Sequence, residues 1–325
     1  MFSMNQQKFL DMDELSLRKV PFFFIIDFKG ENVEIFEHND IAESGLLIDF
    51  ENFSNAEHQH KLQKNIEWNY FPESLENFQT GFDKVKENIH LGNSYLANYT
   101  RKTKIHTNLT LKEIFFHSSA KYKVLYKDFF VFFSPETFVK IVDGKILTYP
   151  MKGTIDASLE NAAEILKNDR KEKAEHYTVV DLLRNDLSMV ADEVKVDTFQ
   201  HIDLIRTRQK NLFAMSSEIS GNVKPEFDGK VGSIMQKLLP AGSILGAPKP
   251  KTLEIILDAE DYERGYYTGV CGWFDGKNVD SCVMIRFIEK EGDKLYFKSG
   301  GGITHMSRLE DEYQEMKNKI YVPIY

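Results

Sequence analysis

Two segments with an Asp-Gly pair between alternating strands constrain the fold more than any other feature of this sequence. In the first segment, FVKIVDGKILTY (138–149), apolar and polar residues alternate on both sides of Asp143-Gly144. In the second segment, GVCGWFDGKNVDSCVMIRFIE (269–289), the turn is predicted at Asp275-Gly276. Asp-Gly between alternating runs is typical of a hairpin that joins antiparallel strands. Helical patterns lie between these hairpins. The sequence therefore predicts an α+β fold with large mixed or antiparallel sheets, not a series of βαβ units.

Apolar periodicity predicts helices beside these strands. Residues 74–92 and 307–320 carry apolar side chains at spacings of four, three and four, which form one helical face. Thr110 and Glu113 have the spacing of a capping box. Two further helices are predicted near 158–169 and 171–184, and strands near 20–28, 32–37, 94–105 and 129–133. No Pro-, Gly- or Ser-rich linker divides the chain, so we predict a single domain over residues 1–325.

Composition excludes several classes of function. The formal charge is −9, from 50 acidic and 41 basic residues, and no basic cluster suggests a nucleic-acid partner. The densest apolar run, residues 20–28, is too short to cross a bilayer, and the N-terminus lacks the pattern of a signal peptide. Two cysteines, Cys271 and Cys282, are expected to be free and buried. These observations predict a cytoplasmic protein with no membrane partner.

A carboxyl and an amine are predicted to face each other at one end of the first hairpin. If the hairpin turns at Asp143-Gly144, position 136 lies opposite position 151, so Glu136 and Lys152 are neighbours. They suit an acid and a nucleophile, but a cross-strand ion pair, worth ~0.2–1 kcal/mol, explains the same pattern. A lysine at the end of a strand is also a common surface residue.

Two further groups of residues suit anions and cations. The run SGGGI (299–303) can leave backbone N–H groups free for an anion, although a tight turn or bulge explains it as well. Arg286 interrupts an apolar strand and needs a partner, either a carboxylate ligand or an internal salt bridge. Glu312 and Glu315 share a helix face and suit a hard cation such as Mg²⁺, or else form a solvated surface. Glu175 would have to converge on the same point.

In this order, the motifs of residues 130–320 resemble those of the chorismate-utilising enzymes: anthranilate, aminodeoxychorismate, isochorismate and salicylate synthases. The matching strings are SPETF, PMKGT, KAEHYTVVDLLRNDL, GSILGAPKPKTLEII, RGYYTGVCGW, MIRF and GGGITHMSRLEDEYQEMKNKI, with a weaker NSYLANY upstream. The resemblance implies an anthranilate-synthase-component-I-like chorismate-binding fold, a sandwich of sheets with helices outside. Residues 1–90 would form an abbreviated N-terminal part and residues 91–325 the catalytic core.

Within that family, Lys152 is similar to the lysine of aminodeoxychorismate synthase component I, the p-aminobenzoate synthase component. The resemblance implies that Lys152 attacks chorismate as a covalent nucleophile and that Glu136 is the general acid. A lysine with its usual pKa of ~10.4 is neutral in about 1 molecule in 2,500 at pH 7, so the site must favour the neutral amine.

The same resemblance assigns the remaining site residues. Mg²⁺, bound by Glu175, Glu312 and Glu315, would hold the ring carboxylate of chorismate. The substrate-binding residues would be Arg286, Gly301, Gly302, Tyr267, Gly269 and Thr154. Arg184 and Asp186 are expected to fix a helix end, and the roles of Ser243 and Lys249 stay open.

The chain also departs from the family's pattern. Ala214 stands where a histidine is usual, Phe287 replaces a threonine, and Leu245 replaces a small polar residue. GVCGW resembles a nucleophile elbow, but Trp273 occupies its second glycine position. A glutaminase domain does not fit in the remaining length, so a separate glutamine amidotransferase subunit is the expected source of ammonia.

Three functions remain open from the sequence. The first is aminodeoxychorismate synthase component I, an enzyme of p-aminobenzoate and folate synthesis. The second is anthranilate synthase component I or an isochorismate synthase, against which Lys152 argues. The third is a non-catalytic chorismate-binding subunit.

Overall fold

The computed structural model describes residues 4–57, 65–205 and 211–323, and describes only the backbone of Lys152, Thr154, Lys171, Ile205 and Leu212. The helices of these residues are α1 (Gln6–Leu17), α2 (Leu75–His90), α3 (Leu111–His117), α4 (Ala162–Asn168), α5 (Arg170–Ser188), α6 (Val231–Leu238), α7 (Lys249–Ala259) and α8 (Leu309–Asn318). The strands are β1 (Phe22–Ile26), β2 (Val33–Glu37), β3 (Leu46–Phe50), β4 (Trp68–Phe71), β5 (Leu96–Thr107), β6 (Tyr122–Tyr126), β7 (Phe130–Ser134), β8 (Thr137–Val142), β9 (Lys145–Thr148), β10 (Met151–Asp156), β11 (Ala191–Ile205), β12 (Leu212–Val223), β13 (Gly246–Ala247), β14 (Val270–Phe274), β15 (Val279–Val283), β16 (Phe287–Glu291) and β17 (Lys294–Ile303).

The strands form two large sheets. The first has the order β10-β12-β9-β8-β15-β14-β1-β2, with β11 also paired to β12. The second has the order β13-β5-β17-β16-β7-β6-β3, with β4 also paired to β5. Within the described residues, each strand pairing in both sheets is antiparallel.

The two sheets pack face to face, with helices on their outer faces. Strand β1 shows the layering: Phe23 and Ile25 join the core between the sheets, while Phe22 and Phe24 join the core beneath α1, α5 and α6. The alternation follows from the period of two along a strand. Helices α2, α3, α7 and α8 pack on the outer face of the second sheet. The predicted α+β sandwich with helices outside is therefore confirmed.

Local signals in the sequence fix several elements. Asp143 and Gly144 have φ of 49° and 77°, as a type I′ turn requires. Ser74 caps α2, and Thr110 and Glu113 form the predicted capping box of α3. The structure thus confirms the hairpin and both helix starts.

Helix α1 was not predicted from the sequence. Its buried face contains Phe9 and Met12 but also Asp13 and Ser16, which interrupt the apolar stripe. Asp13 accepts a hydrogen bond from the backbone N–H of Ser233 at 2.9 Å, which makes its burial tolerable. A partner 220 residues away leaves no local signal in the sequence.

Cys271 and Cys282 are free and fully buried, as expected. They lie opposite each other on β14 and β15, with their Sγ atoms 3.5 Å apart. Among the helices of the described residues, none is both long and apolar enough to cross a lipid bilayer.

Candidate active site

Glu136 lies in the short connection between β7 and β8, and its backbone is fixed on both sides. Its N–H donates to Ser134 Oγ at 3.1 Å, and its carbonyl accepts from the N–H of Val283 at 3.1 Å. Its carboxylate oxygen Oε1 accepts a hydrogen bond from the hydroxyl of Ser243, in the 3-10 turn Gly242–Ile244. Ser243, whose role was open from the sequence, therefore contacts the predicted general acid.

The backbone around Lys152 runs beside the end of the same hairpin. Lys140 pairs with Leu147 and Val142 with Lys145, which is the register predicted from the sequence. Its extension to positions 136 and 151 stays a prediction. Strand β10 pairs with β12, and Lys152 lies opposite Met215 in this pair. The side chains of Lys152 and Thr154 lie outside the described part of the structure, so the contact between the amine and Glu136 stays a prediction.

Tyr267 lies in a buried turn that precedes β14. Its side chain is 4% exposed, and burial raises the pKa of its phenol above the usual value. Among the smaller influences on that pKa, the charge of Arg286 lowers it and the charge of Glu136 raises it. The acid, the phenol and the guanidinium predicted for the site therefore lie within electrostatic reach of one another.

Gly269 has a packing role in this turn. A Cβ atom at this position would lie 2.2 Å from the carbonyl oxygen of Ile26, so only glycine lets the turn approach β1 this closely. The resemblance to the chorismate-utilising enzymes implied a role in substrate binding for Gly269. The close approach to the backbone of β1 explains the glycine without a ligand.

Arg286 lies between β15 and β16 and reaches the end of α8. It donates from Nη1 to the carbonyl of Lys319 at 3.1 Å, and its guanidinium carbon is 4.9 Å from the ring centroid of Tyr321. Among the described residues no carboxylate forms an ion pair with Arg286, so the internal salt bridge considered from the sequence is not observed. A guanidinium without a carboxylate partner is suited to a carboxylate ligand.

The three glycines at the end of β17 have different surroundings. A Cβ atom at Gly300 would lie 2.2 Å from the carbonyl oxygen of Tyr99, so this glycine permits close pairing with β5. A Cβ atom at Gly301 would lie 3.2 Å from both Glu312 Oε2 and Glu315 Oε1. Gly302 pairs with Asn98 of β5.

Glu312 and Glu315 therefore converge on Gly301, although their environments differ. The residue Glu312 is 2% exposed. Glu315 is partly exposed, and its Oε1 pairs at 2.7 Å with Lys319 Nζ, which also donates to the carbonyl of Gly300. Two carboxylates on one helix face suit Mg²⁺, which is commonly held by one or two carboxylates together with water or substrate oxygens.

Glu175 belongs to the face of α5 that approaches β10. One turn earlier, Glu172 Oε2 lies 2.8 Å from the position of a Cβ atom built on Gly153, and Glu175 follows at the i+3 spacing. The described residues contain no group of three or more acidic, histidine or cysteine side chains close enough to hold a metal ion. Glu312 and Glu315, which both approach Gly301, would supply only part of the ligands of Mg²⁺, and Glu175 as a further ligand remains a prediction.

The sequence did not single out His176, which is fully buried beside Glu175. Its Nε2 lies 2.7 Å from Ser217 Oγ, and the N–H of Ser217 donates to the carbonyl of Pro150 at 3.0 Å. The imidazole therefore ties α5 to the chain that leads into β10. The helical spacing of His176, Val179, Val180 and Leu183 is the signal that would have placed it on the buried face.

Asp186 has the architectural role expected of it, whereas Arg184 does not. Asp186 Oδ2 pairs with Lys249 Nζ at 2.6 Å, and that ammonium also donates to the carbonyl of Leu238. Burial raises the pKa of Asp186 and lowers the pKa of Lys249, because each charged form loses water. Arg184 is exposed and pairs with Asp181 one turn earlier in α5, so the prediction that it fixes the helix end is wrong.

The residues that depart from the family's pattern are all core residues. Ala214, Leu245 and Phe287 are fully buried. Ala214 pairs with Thr154 across β10 and β12, and the carbonyl of Leu245 accepts from the N–H of Asn98 at 2.9 Å. The ring of Phe287 lies 5.9 Å from that of Tyr267, so this substitution adjoins the site.

With this geometry established, comparison with known proteins identifies the family. The model of the family described as chorismate binding enzyme matches residues 19–324. The chain belongs to the chorismate-binding enzymes. It is 48% identical over 308 residues to a protein of Pasteurella multocida named as an uncharacterized PabA-like protein, covering 94% of this chain and 95% of that one. A PabA-like protein of Haemophilus influenzae is 46% identical over 307 residues, covering 94% and 93%.

More distant relatives match part of the chain or its fold alone. Anthranilate synthase component 1 of Arthrobacter globiformis is 34% identical over 198 residues, which cover 59% of this chain and 36% of that one. Anthranilate synthase component I from Streptococcus pneumoniae has a TM-score of 0.68 at 22% identity, covering 91% and 70%. The isochorismate synthase MenF from Escherichia coli has a TM-score of 0.73 at 16% identity, covering 97% and 80%. At these identities, the two solved structures support the fold and no specific reaction.

Proposed function

We propose that this chorismate-binding enzyme is an aminodeoxychorismate synthase component I, which converts chorismate and ammonia to 4-amino-4-deoxychorismate. The observation that carries the proposal is a lysine at position 152, the second residue of β10, which follows the hairpin of β8 and β9 in the chain, while Glu136 directly precedes β8. An amine beside a carboxyl group provides a nucleophile and a general acid. Two relatives that match this chain over nearly their whole length are named PabA-like, and this name supports a role in p-aminobenzoate synthesis.

In the proposed mechanism, the neutral amine of Lys152 forms a bond to C2 of chorismate. The ring double bonds shift, the C4–O bond breaks, and Glu136 gives its proton to the departing hydroxyl, which leaves as water. Ammonia then forms a bond to C4, the double bonds shift back, and the bond between C2 and Lys152 breaks. The nitrogen added at C4 loses a proton, which returns to Glu136, so the lysine and the acid are both regenerated. The sum is chorismate plus ammonia giving aminodeoxychorismate plus water.

The other residues of the site would bind and orient the substrate. Arg286 would bind the enolpyruvyl carboxylate, together with the backbone of Gly301 and Gly302, and the buried phenol of Tyr267 lies within electrostatic reach of Arg286 and of Glu136. Mg²⁺, when bound, would neutralise the ring carboxylate. Glu312 and Glu315 would hold it, with Glu175 as the proposed third ligand.

We propose that a glutamine amidotransferase subunit supplies the ammonia, because the reaction needs a nitrogen nucleophile that chorismate does not contain. Ammonium salts at high concentration should replace that subunit. The synthase reaction is thereby testable with this chain alone.

The deciding experiment incubates the protein with chorismate, Mg²⁺ and ammonium salt, with and without an aminodeoxychorismate lyase. We expect p-aminobenzoate only when the lyase is present. Anthranilate fluorescence, or isochorismate without p-aminobenzoate, would refute the proposal.

The covalent step has its own test. Lys152→Ala should lower turnover by at least ~10³-fold, because nucleophile and general acid act as a unit. Lys145→Ala is the matched control, since it removes an exposed lysine from the same hairpin. When ammonia is omitted, intact-protein mass spectrometry should show an adduct of chorismate less one water on the wild type and none on Lys152→Ala. Unchanged turnover of Lys152→Ala would remove the covalent step.

Anthranilate synthase component 1 is the second candidate. The specific observation in its favour is the 34% identity over 198 residues to the Arthrobacter globiformis enzyme. Because the same incubation reports anthranilate by fluorescence, it separates the two candidates.

A further inference from the structure

Arg264 is a buried arginine outside the set of residues assigned to the site. It follows α7, is 2% exposed, and has the ring of Phe28 4.5 Å from its guanidinium carbon. Its charge is neutralised by Glu260, which accepts from Nε at 2.8 Å and from Nη2 at 2.7 Å. This two-point pairing fixes the plane of the guanidinium.

The remaining N–H groups of Arg264 reach three separate segments of the chain. Nη2 donates to the carbonyl of Asn98 at 2.6 Å. Nη1 donates to the carbonyl of Ile244 at 3.2 Å and to Thr268 Oγ1 at 3.2 Å. One planar side chain therefore joins β5, the 3-10 turn Gly242–Ile244 and the turn that contains Tyr267.

Two of these segments carry a residue of the candidate site, and the third, β5, pairs with one. Asn98 pairs with Gly302, at the end of the glycine run. Ile244 directly follows Ser243, whose hydroxyl donates to Glu136. Thr268 directly follows Tyr267. Arg264 thus donates hydrogen bonds to residues that adjoin Ser243 and Tyr267 in sequence and to the residue that pairs with Gly302. These three site residues are far apart in sequence.

Thr268 requires support from its surroundings. Its φ of 62° is in the left-handed region, which is strongly disfavoured for a β-branched residue. Besides the bond from Arg264, its N–H donates to the carbonyl of Met284 at 2.8 Å. Without the guanidinium, one of the contacts that hold this turn would be lost.

We propose that Arg264 is a positioning residue, which sets the relative placement of the glycine run, the Ser243 turn and the Tyr267 turn. It acts through their backbone and does not touch the substrate. The proposal concerns the geometry of these segments, and only its effect on turnover rests on the proposed function.

Arg264→Lys tests the proposal, because lysine keeps the positive charge but not the planar fork that spans several acceptors. In hydrogen-exchange mass spectrometry, peptides covering residues 242–247 and 264–270 should exchange faster than in the wild type. Turnover should fall by about 10²-fold, the effect expected when reacting groups are displaced by about 1 Å.

Arg101→Lys is the matched control. Arg101, in β5, is another largely buried arginine with carboxylate partners. It forms ion pairs with Glu73 and with Asp261, and the distance from its Nη1 to Asp261 Oδ1 is 2.9 Å. It forms no hydrogen bond to the turns at 244 and 268. We expect unchanged exchange in the two peptides and turnover within threefold of the wild type.

The outcomes separate a positioning role from a general structural one. Wild-type exchange and turnover in Arg264→Lys would overturn the proposal, and so would faster exchange spread evenly over the chain. If Arg264→Lys does not fold, Thr268→Val removes a single acceptor, and faster exchange confined to 264–270 with lower turnover supports the proposal. A wild type that does not aminate chorismate would refute the proposed function, while the exchange experiment would still decide the role of Arg264.

Discussion

At the scale of single residues, the site depends on polar contacts between distant parts of the chain. Ser243 and Glu136 are 107 residues apart, and their hydrogen bond fixes one carboxylate oxygen of the predicted general acid. Proton transfer is efficient only when the acid is held within hydrogen-bond reach of the group it protonates. The serine should therefore affect catalysis more than stability.

We predict that Ser243→Ala lowers kcat by roughly 10-fold, part of the contribution usual for a general acid. The free energy of unfolding should change by no more than ~1 kcal/mol. Steady-state amination kinetics and urea unfolding give the two values. Ser233→Ala is the control, because Ser233 also donates to a carboxylate, that of Asp13, but joins α6 to α1 away from the site. Equal kinetic losses in both variants would contradict a role for Ser243 in orienting Glu136.

The sequence predicted some of these residues and not others, for a physical reason. The register of the hairpin with the Asp-Gly turn follows from a local rule, and the neighbourhood of positions 136 and 152 is predicted from that register. The bonds of Ser243 and Arg264 depend on how distant segments pack, and no local pattern encodes them. Arg184 and Asp186 belong to the same motif, DLLRND, for which one architectural role is predicted, but positions two apart point away from each other on a helix.

At the scale of elements, β17 combines a pairing role at Gly300 with a proposed binding role at the adjacent Gly301. Gly300 approaches the backbone of β5, which strand pairing holds in place. Gly301 approaches the carboxylate ends of Glu312 and Glu315, which are flexible side chains. The same substitution at the two positions should therefore have different consequences.

We predict that Gly300→Ala destabilises the fold by about 1–3 kcal/mol, because the added methyl group overlaps the Tyr99 carbonyl oxygen. Gly301→Ala should leave the urea midpoint nearly unchanged but raise the Mg²⁺ concentration needed for half-maximal activity. Each variant is the control for the other. Wild-type dependence on Mg²⁺ in Gly301→Ala would argue against a metal site at Glu312 and Glu315.

Element prediction from the sequence succeeded where one signal dominated. Helix α2 has a serine cap, an uninterrupted apolar stripe and a C-terminal glycine, and α3 has both halves of a capping box. Helix α1 lacks such a stripe, because Asp13 and Ser16 occupy its buried face and find their partners near α6. Apolar periodicity does not reveal polar residues that are buried because distant segments supply their hydrogen-bond partners.

At the scale of the whole molecule, the two sheets share one core. Phe23 and Ile25 of the first sheet pack in the same cluster as Phe130 and Phe132 of the second. Residues of the candidate site come from both sheets, since Glu136 borders β8 and Gly301 lies in β17. A site built in this way requires the two sheets to remain packed together.

The prediction of a single domain can be tested with the two tryptophans, one in each sheet. Trp273 lies in β14 and stacks on Phe53 with centroids 4.0 Å apart, whereas Trp68 lies in β4 at the edge of the second sheet. In Trp68→Phe and Trp273→Phe variants, the remaining tryptophan reports on one sheet only. Replacing Trp273 by phenylalanine keeps an aromatic ring beside Phe53, so the loss of stability should be about 1 kcal/mol.

Because apolar residues of both sheets are buried against each other, neither sheet should unfold while the other stays native. We expect the urea transitions of the two variants, followed by fluorescence, to coincide with their own transitions followed by far-UV circular dichroism. The shared core must be lost in one step for these curves to agree. If fluorescence in the Trp68→Phe variant changed at a clearly different urea concentration from its circular dichroism, the first sheet would unfold separately, and the single-domain prediction for residues 1–325 would be wrong.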